Sequence, residues 1–378
     1  MYSINKLKRN RKYWSDYYKN LLLLPNTPIW FKFQIVSASF RNFLPHIPYE
    51  QHELLFKKLL INQKNANMEQ SAIDLLKEVP VLFWDEGKPD TFRDAPGIIV
   101  TFHTGSFRLI GHYLAANGIP FKLVVANDGM LREGNLANEL YSQESLDTIG
   151  FDLIDANEKN CLIKICRTLR EKTNVLIYMD GNTGAGNEYQ NQNLITVPFL
   201  NQHINVRAGA AYAAFINKVP LYPVTASRRW RYVSKLEFRR PIIPNSPSDK
   251  KTFAESVMVS IYKDLENLVY ERPWQWDGWL YLHHYAKVSV DESIHPQIDN
   301  DGKSAKKQVA FNKRDYGFFR VNEKHFLFRK ADYKCFEVEQ WLYTRLEQLY
   351  EGSYRFTVPM LNRNHMADLV KSRVVVQH

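Results

Sequence analysis

The chain has 378 residues, a formal net charge of +10, 45% hydrophobic and 13% aromatic residues. That content supports a sizeable core, excludes a globally disordered chain, and suits one large α/β domain with a smaller one. The positive balance favours anionic partners (phosphates, acidic carrier proteins, nucleic acid or anionic lipid) without choosing among them.

Three cysteines, Cys161, Cys166 and Cys335, form neither metal-ligand spacing nor an even disulfide set, which points to a reducing compartment. No run reaches the ~18 apolar residues of a spanning helix. Leu21–Leu24, after a basic start, is too short for a signal-peptide core. The expected location is cytoplasmic, with peripheral attachment to an inner membrane as an option.

Residues 1–75 read as helices, over Tyr13–Leu24, Ile29–Leu44, Glu50–Asn62 and Met68–Leu76. The stretch Ile29–Ile47 carries Trp30, Phe31, Phe33, Phe40 and Phe43 among Lys32 and Arg41, after the basic cluster Lys6–Lys12. It suits either a helix lying on an anionic membrane or an amphipathic helix packed on its own domain. Beyond residue 76 strands and helices alternate. Strands are read at Val79–Trp84, Ile98–Phe102, Phe121–Ala126, Phe151–Ile154, Val175–Met179, Ile195–Phe199 and Leu221–Ala226. Helices are read at Phe107–Ala116, near Leu136–Ile149, and at Asn160–Lys172, Ala208–Asn217 and Thr252–Tyr270. The spacing predicts an α/β fold with a mixed, mostly parallel sheet flanked by helices. Residues 291–310, polar and charged, read as a linker. Residues 311–378 read as a small α+β domain, with a hairpin over Tyr316–Arg329 turning at Asn322-Glu323 and a helix over Phe336–Tyr350 ending at Gly352.

The most telling stretch is Ile98-Ile99-Val100-Thr101-Phe102-His103-Thr104-Gly105-Ser106-Phe107-Arg108. A buried strand runs into a histidine, small residues and a helix. Such a turn lifts its histidine to the sheet rim, where ligands bind in open α/β folds, so His103 is the leading candidate for a base. Asp180 ends another strand in Leu176-Ile177-Tyr178-Met179-Asp180-Gly181 and is a catalytic candidate or a turn cap. Asn182–Asn193 is either a lid or a plain loop. Arg207, Lys218, Arg228, Arg229 and Arg231 form either a phosphate-holding set or a solvated basic face. His112 and the Trp274/Trp276/Trp279 cluster read as structural, and no metal site is expected.

The succession of these blocks resembles the bacterial lipid A biosynthesis lauroyl/myristoyl acyltransferase family over roughly residues 15–290. It continues through Val197-Pro198-Phe199-Leu200, Arg207-Ala208-Gly209-Ala210-Ala211-Tyr212 and Pro273-Trp274-Gln275-Trp276-Asp277-Gly278-Trp279. The resemblance implies a helical segment 1–75, an acyltransferase-like domain 76–290, and transfer of a fatty acyl group from a carrier-protein or coenzyme A thioester to a hydroxyl or amine, with no cofactor. It makes His103 the general base. Amides at Gly105 and Ser106 would receive the oxyanion. Arg108 stands where the family's first block, His-x4-Glu, carries its acid. Three consequences are open: Asp180 or Glu188 orients the imidazole, the acceptor needs less activation, or the chain only binds lipid or peptide. Arg108, Arg207 and Arg228 are expected to bind substrate phosphate. The C-terminal unit resembles winged-helix-like peptide-recognition modules of enzymes that modify ribosomal peptides, which would make the acceptor a peptide or natural-product intermediate. Glu337, Glu339 and Glu347 on its helical stretch argue against nucleic acid.

Overall fold

The computed structural model describes residues 4–71, 73–85, 87–140, 151–181, 194–229, 234–244, 249–289, 309–352 and 368–377. Glu188, Arg231, the Asn182–Asn193 loop and nearly all of the expected linker lie outside them. Two compact units divide the chain: Met1–Leu21 with Lys57–Ala286, and Leu22–Phe56 with Lys287–His378. The division at Ala286/Lys287 lies close to the boundary expected at 290, while Leu22–Phe56, expected in the N-terminal segment, is grouped with the C-terminal residues.

In chain order the first helices are α1 (Ile4–Lys19), α2 (Pro28–Phe43), α3 (Tyr49–Glu69), α4 (Thr91–Asp94), α5 (Leu109–Ala116) and α6 (Asn127–Leu140). The larger unit holds strands β1 (Val81–Leu82), β2 (Ile98–Thr101), β3 (Phe121–Val125), β4 (Asp152–Asp155) and β5 (Asn174–Tyr178). It continues with β6 (Leu194–Phe199), β7 (Gln202–Arg207), β8 (Leu221–Arg228) and β9 (Ser234–Phe238).

A seven-stranded sheet runs β1-β9-β8-β2-β5-β3-β4, parallel except where β8 meets β9. The mixed, mostly parallel α/β class is thus the observed one. The central strand β2 is buried along its whole length, as expected for a β-branched run covered on both faces. Asn174 locks the lower end of the sheet. Its side chain accepts from Gly97 N at 3.0 Å and donates to the carbonyls of Phe92 and Pro120, each at 2.9 Å. The sequence reading missed β7, which pairs with β6 as a hairpin, and β9. Both carry polar residues on an alternating pattern and lack a long apolar run.

In the smaller unit α2 begins at an N-cap: Thr27 Oγ1 accepts from Trp30 N at 3.2 Å, with Pro28 in the first turn. Trp30, Phe33, Phe40 and Phe43 are all buried. Trp30 packs on Phe318 and Tyr350, and its indole N–H donates to Phe318 O at 2.6 Å. These four rings form core, as in an amphipathic helix packed on its own domain, while Phe31 is exposed. No described helix is long and apolar enough to cross a membrane. The hairpin turns as expected, with Asn322 and Glu323 both at positive φ (47° and 65°), the geometry of a tight hairpin turn. A third antiparallel strand, Lys334–Val338, takes the place of the first turn read as helix, which starts at Gln340.

Candidate active site

β2 and β5 are adjacent, parallel and in register, with Thr101 opposite Tyr178. Two residues beyond each lie His103 and Asp180, so the sheet itself brings them side by side. Asp180 accepts from the backbone N–H of His103 at 3.2 and 3.0 Å and meets its ring Nδ1 at 2.8 Å. The same carboxylate accepts the indole N–H of Trp276 at 2.7 Å. It is almost fully enclosed, with 1% of its side chain exposed, whereas His103 keeps 32%. The imidazole stacks on Tyr178 at 4.7 Å and meets the edge of Phe107 at 4.8 Å. Among the described residues nothing hydrogen-bonds Nε2, which is left for a substrate.

The charges follow from this packing. Burial disfavours the imidazolium, but the Asp180 carboxylate outweighs it, so the pKa of His103 is raised above its ordinary value; Asp277 adds to the rise and Arg108 opposes it. For Asp180 burial works upward, yet the charge and hydrogen bonds of His103 and the Trp276 indole bring the carboxyl below its usual range. Asp277 donates its backbone N–H to His103 O at 3.0 Å. Burial pushes its carboxyl up to about 6, against the downward pull of His103 and Gln63.

These groups open on a cavity of about 1020 Å³. Its lining includes the polar His103, Asp277, Gln63 and Tyr281 and the apolar Phe107, Phe121, Leu123 and Phe151. Arg207 also lines it, at an exposed position. Arg108 lines it too, with Nη1 donating to Glu133 Oε1 of α6 at 2.8 Å.

Two assignments from the sequence are corrected. Gly105 and Ser106 do not line the cavity. The Gly105 N–H is spent on Gln275 O at 2.9 Å, and Ser106 is fully buried, its hydroxyl 2.5 Å from that of Ser234. Gly105 is needed for backbone reasons instead. Its φ is +51°, and a Cβ there would lie 2.7 Å from both Ala226 O and Ser227 Cα. Arg228 is buried and grips Glu69 through Nε and Nη2 at 3.0 and 2.5 Å; it also bonds Asn62. Arg11 pairs with the same carboxylate. Arg228 is thus buried, with three of its N–H groups engaged, and is not among the residues lining the cavity, where a phosphate was expected. His112 is structural, meeting Gln70 O at 2.7 Å.

The sequence reading overlooked Trp276 and Asp277 as site groups, although both lie in a block it singled out. A Trp–Asp dipeptide among aromatics gives no hint that its indole N–H is aimed at a carboxylate 96 residues away. Glu133 carries no sequence signal, because it meets Arg108 only through the packing of α6.

No protein-family model and no curated protein matches the chain. Among solved structures, that of the 1-acyl-sn-glycerophosphate acyltransferase of Thermotoga maritima matches, covering 69% of this chain and 97% of that one. The identity is 14% and the TM-score 0.34.

Proposed function

We propose that the chain is an acyltransferase in which His103, oriented by Asp180, takes the proton of an acceptor hydroxyl or amine. The acceptor attacks the carbonyl of a fatty acyl thioester carried by coenzyme A or an acyl carrier protein. The observation that carries this reading is the contact of half-buried His103 with buried Asp180 on a cavity lined by apolar side chains together with charged ones. A general base needs a neutral imidazole with one nitrogen held and the other open, and Nδ1 is the held nitrogen here. The apolar side chains suit an alkyl chain, which gains ~0.8 kcal/mol per buried CH₂. The order of motifs shared with the lipid A acyltransferases supports the same chemistry, with Asp180 in the role of the missing i+5 acid.

The test is intact-mass analysis of candidate acceptors (glycolipid, lysophospholipid, peptide amine) incubated with acyl-CoA or acyl carrier protein. The expected result is a mass gain of one acyl group, lowered about 10²–10⁴-fold by His103→Ala. Full activity in that variant would remove His103 from the mechanism.

A further inference from the structure

Resting on the acyl-transfer reading, we infer that Arg108 is a catalytic residue that stabilises the oxyanion formed on the thioester carbonyl. The backbone amides that would ordinarily serve are not at hand, since the Gly105 N–H is bonded to Gln275 O and neither Gly105 nor Ser106 reaches the cavity. Arg108 does reach it, five residues after the base. Its guanidinium lies over the Phe107 ring, 5.1 Å from its centroid, and the same ring meets His103 at 4.8 Å. Nη1 is held by Glu133, but Nε is buried without any acceptor. The side chain keeps 12% of its surface exposed and lines the cavity, so the guanidinium can meet a substrate oxygen there. Arg108 also acts on His103 electrostatically, holding its pKa down against Asp180.

The step balances without a further reactant. The acceptor oxygen or nitrogen bonds to the carbonyl carbon, its proton passes to His103 Nε2, and the carbonyl electron pair moves onto oxygen, facing Arg108. Collapse restores C=O and breaks C–S, and the leaving thiolate takes the proton back from Nε2. The negative charge exists only in the tetrahedral species, so a donor fixed before the reaction favours the transition state over the ground state. Glu133 is then a positioning residue, holding the guanidinium through Nη1.

The experiment uses the full chain and palmitoyl-CoA, with water as acceptor and release of the coenzyme A thiol as the signal. His103→Ala, Arg108→Ala and Arg108→Lys are compared after thermal melts. The expected result is that Arg108→Ala lowers kcat about 10²–10³-fold at unchanged KM, that added guanidinium restores part of the rate, and that Arg108→Lys falls between. A raised KM with kcat intact overturns the assignment in favour of phosphate binding. So does a kcat loss that guanidinium does not restore, which marks a structural role. If the unmodified chain releases no thiol above the His103→Ala background, the acyl-transfer reading itself fails and the Arg108 role falls with it.

Discussion

The carboxylate of Asp180 meets both the backbone N–H and the ring Nδ1 of His103, from 77 residues further along the chain. One side chain thereby fixes where the loop starts and how its imidazole is turned. With the indole of Trp276 on its other oxygen, the carboxylate has three donors and little freedom to rotate.

The pH dependence of activity follows from that contact. Asp180 is what lifts His103 above its ordinary pKa. Activity should therefore fall as pH drops through a value above about 6.5, the ordinary histidine pKa. In Asp180→Asn burial is no longer outweighed, so the acidic limb of kcat/KM should move to lower pH while the plateau drops. A pH–rate profile of both forms checks this, and an unmoved limb would separate the observed titration from His103.

Arg228 should matter for stability and not for donor affinity. Arg228→Ala leaves Glu69, wholly buried, with Arg11 alone. The cost is on the order of 3 kcal/mol, the lower end for breaking a buried ion pair. Urea unfolding should record the loss, with an unchanged KM for acyl-CoA in the folded fraction.

Asp277 behaves oppositely to most acids in a folded protein. Its carboxyl rises to about 6 from an ordinary 3.8, so the folded chain holds that proton more tightly than the unfolded one. The associated stability is present below about pH 4 and is lost as pH rises towards 6. Asp277→Asn should then melt close to the unmodified chain at pH 4 and above it at pH 7.5. Equal melting curves at both pH values would contradict the raised carboxyl.

Removing everything after residue 289 should yield an insoluble chain. The truncation strips Phe318 and Tyr350 from Trp30, and Lys330 O from the Asn42 amide, leaving the apolar face of α2 bare. Size-exclusion chromatography of residues 1–289 against the full chain decides the matter. A soluble monomer would show that α2 finds other cover.

Much of the larger unit was legible because its strands are continuous apolar runs and its helices are periodic. The same logic located His103, at the end of the most apolar strand, and Asp180, at the end of its neighbour. Their contact was not legible, since it depends on β5 inserting between β2 and β3, which no local pattern specifies. The oxyanion assignment failed for a related reason. A small-residue turn looks like a set of free amides until Gln275 is seen to occupy one. The aromatic run Trp30–Phe43 shows the limit of composition: apolar rings with scattered cations look alike whether protein or lipid covers them. The hairpin at Asn322-Glu323 was readable because its turn chemistry is local.

The loop bearing the base is stitched to a distant stretch of chain. Thr104 forms a bridge to Trp276, Gly105 N bonds Gln275 O, and Asp277 N bonds His103 O. Residues 103–105 are thus braced by a stretch made near the end of this unit. During translation the loop therefore lacks this backbone brace until the ribosome has delivered residue 277. A nascent chain already holding its parallel sheet would have Asp180 beside His103 but lack the brace and the Trp276 indole on that carboxylate. Refolding from denaturant should repeat this order, because contacts so far apart in sequence close late, and the helical signal should recover before catalysis does.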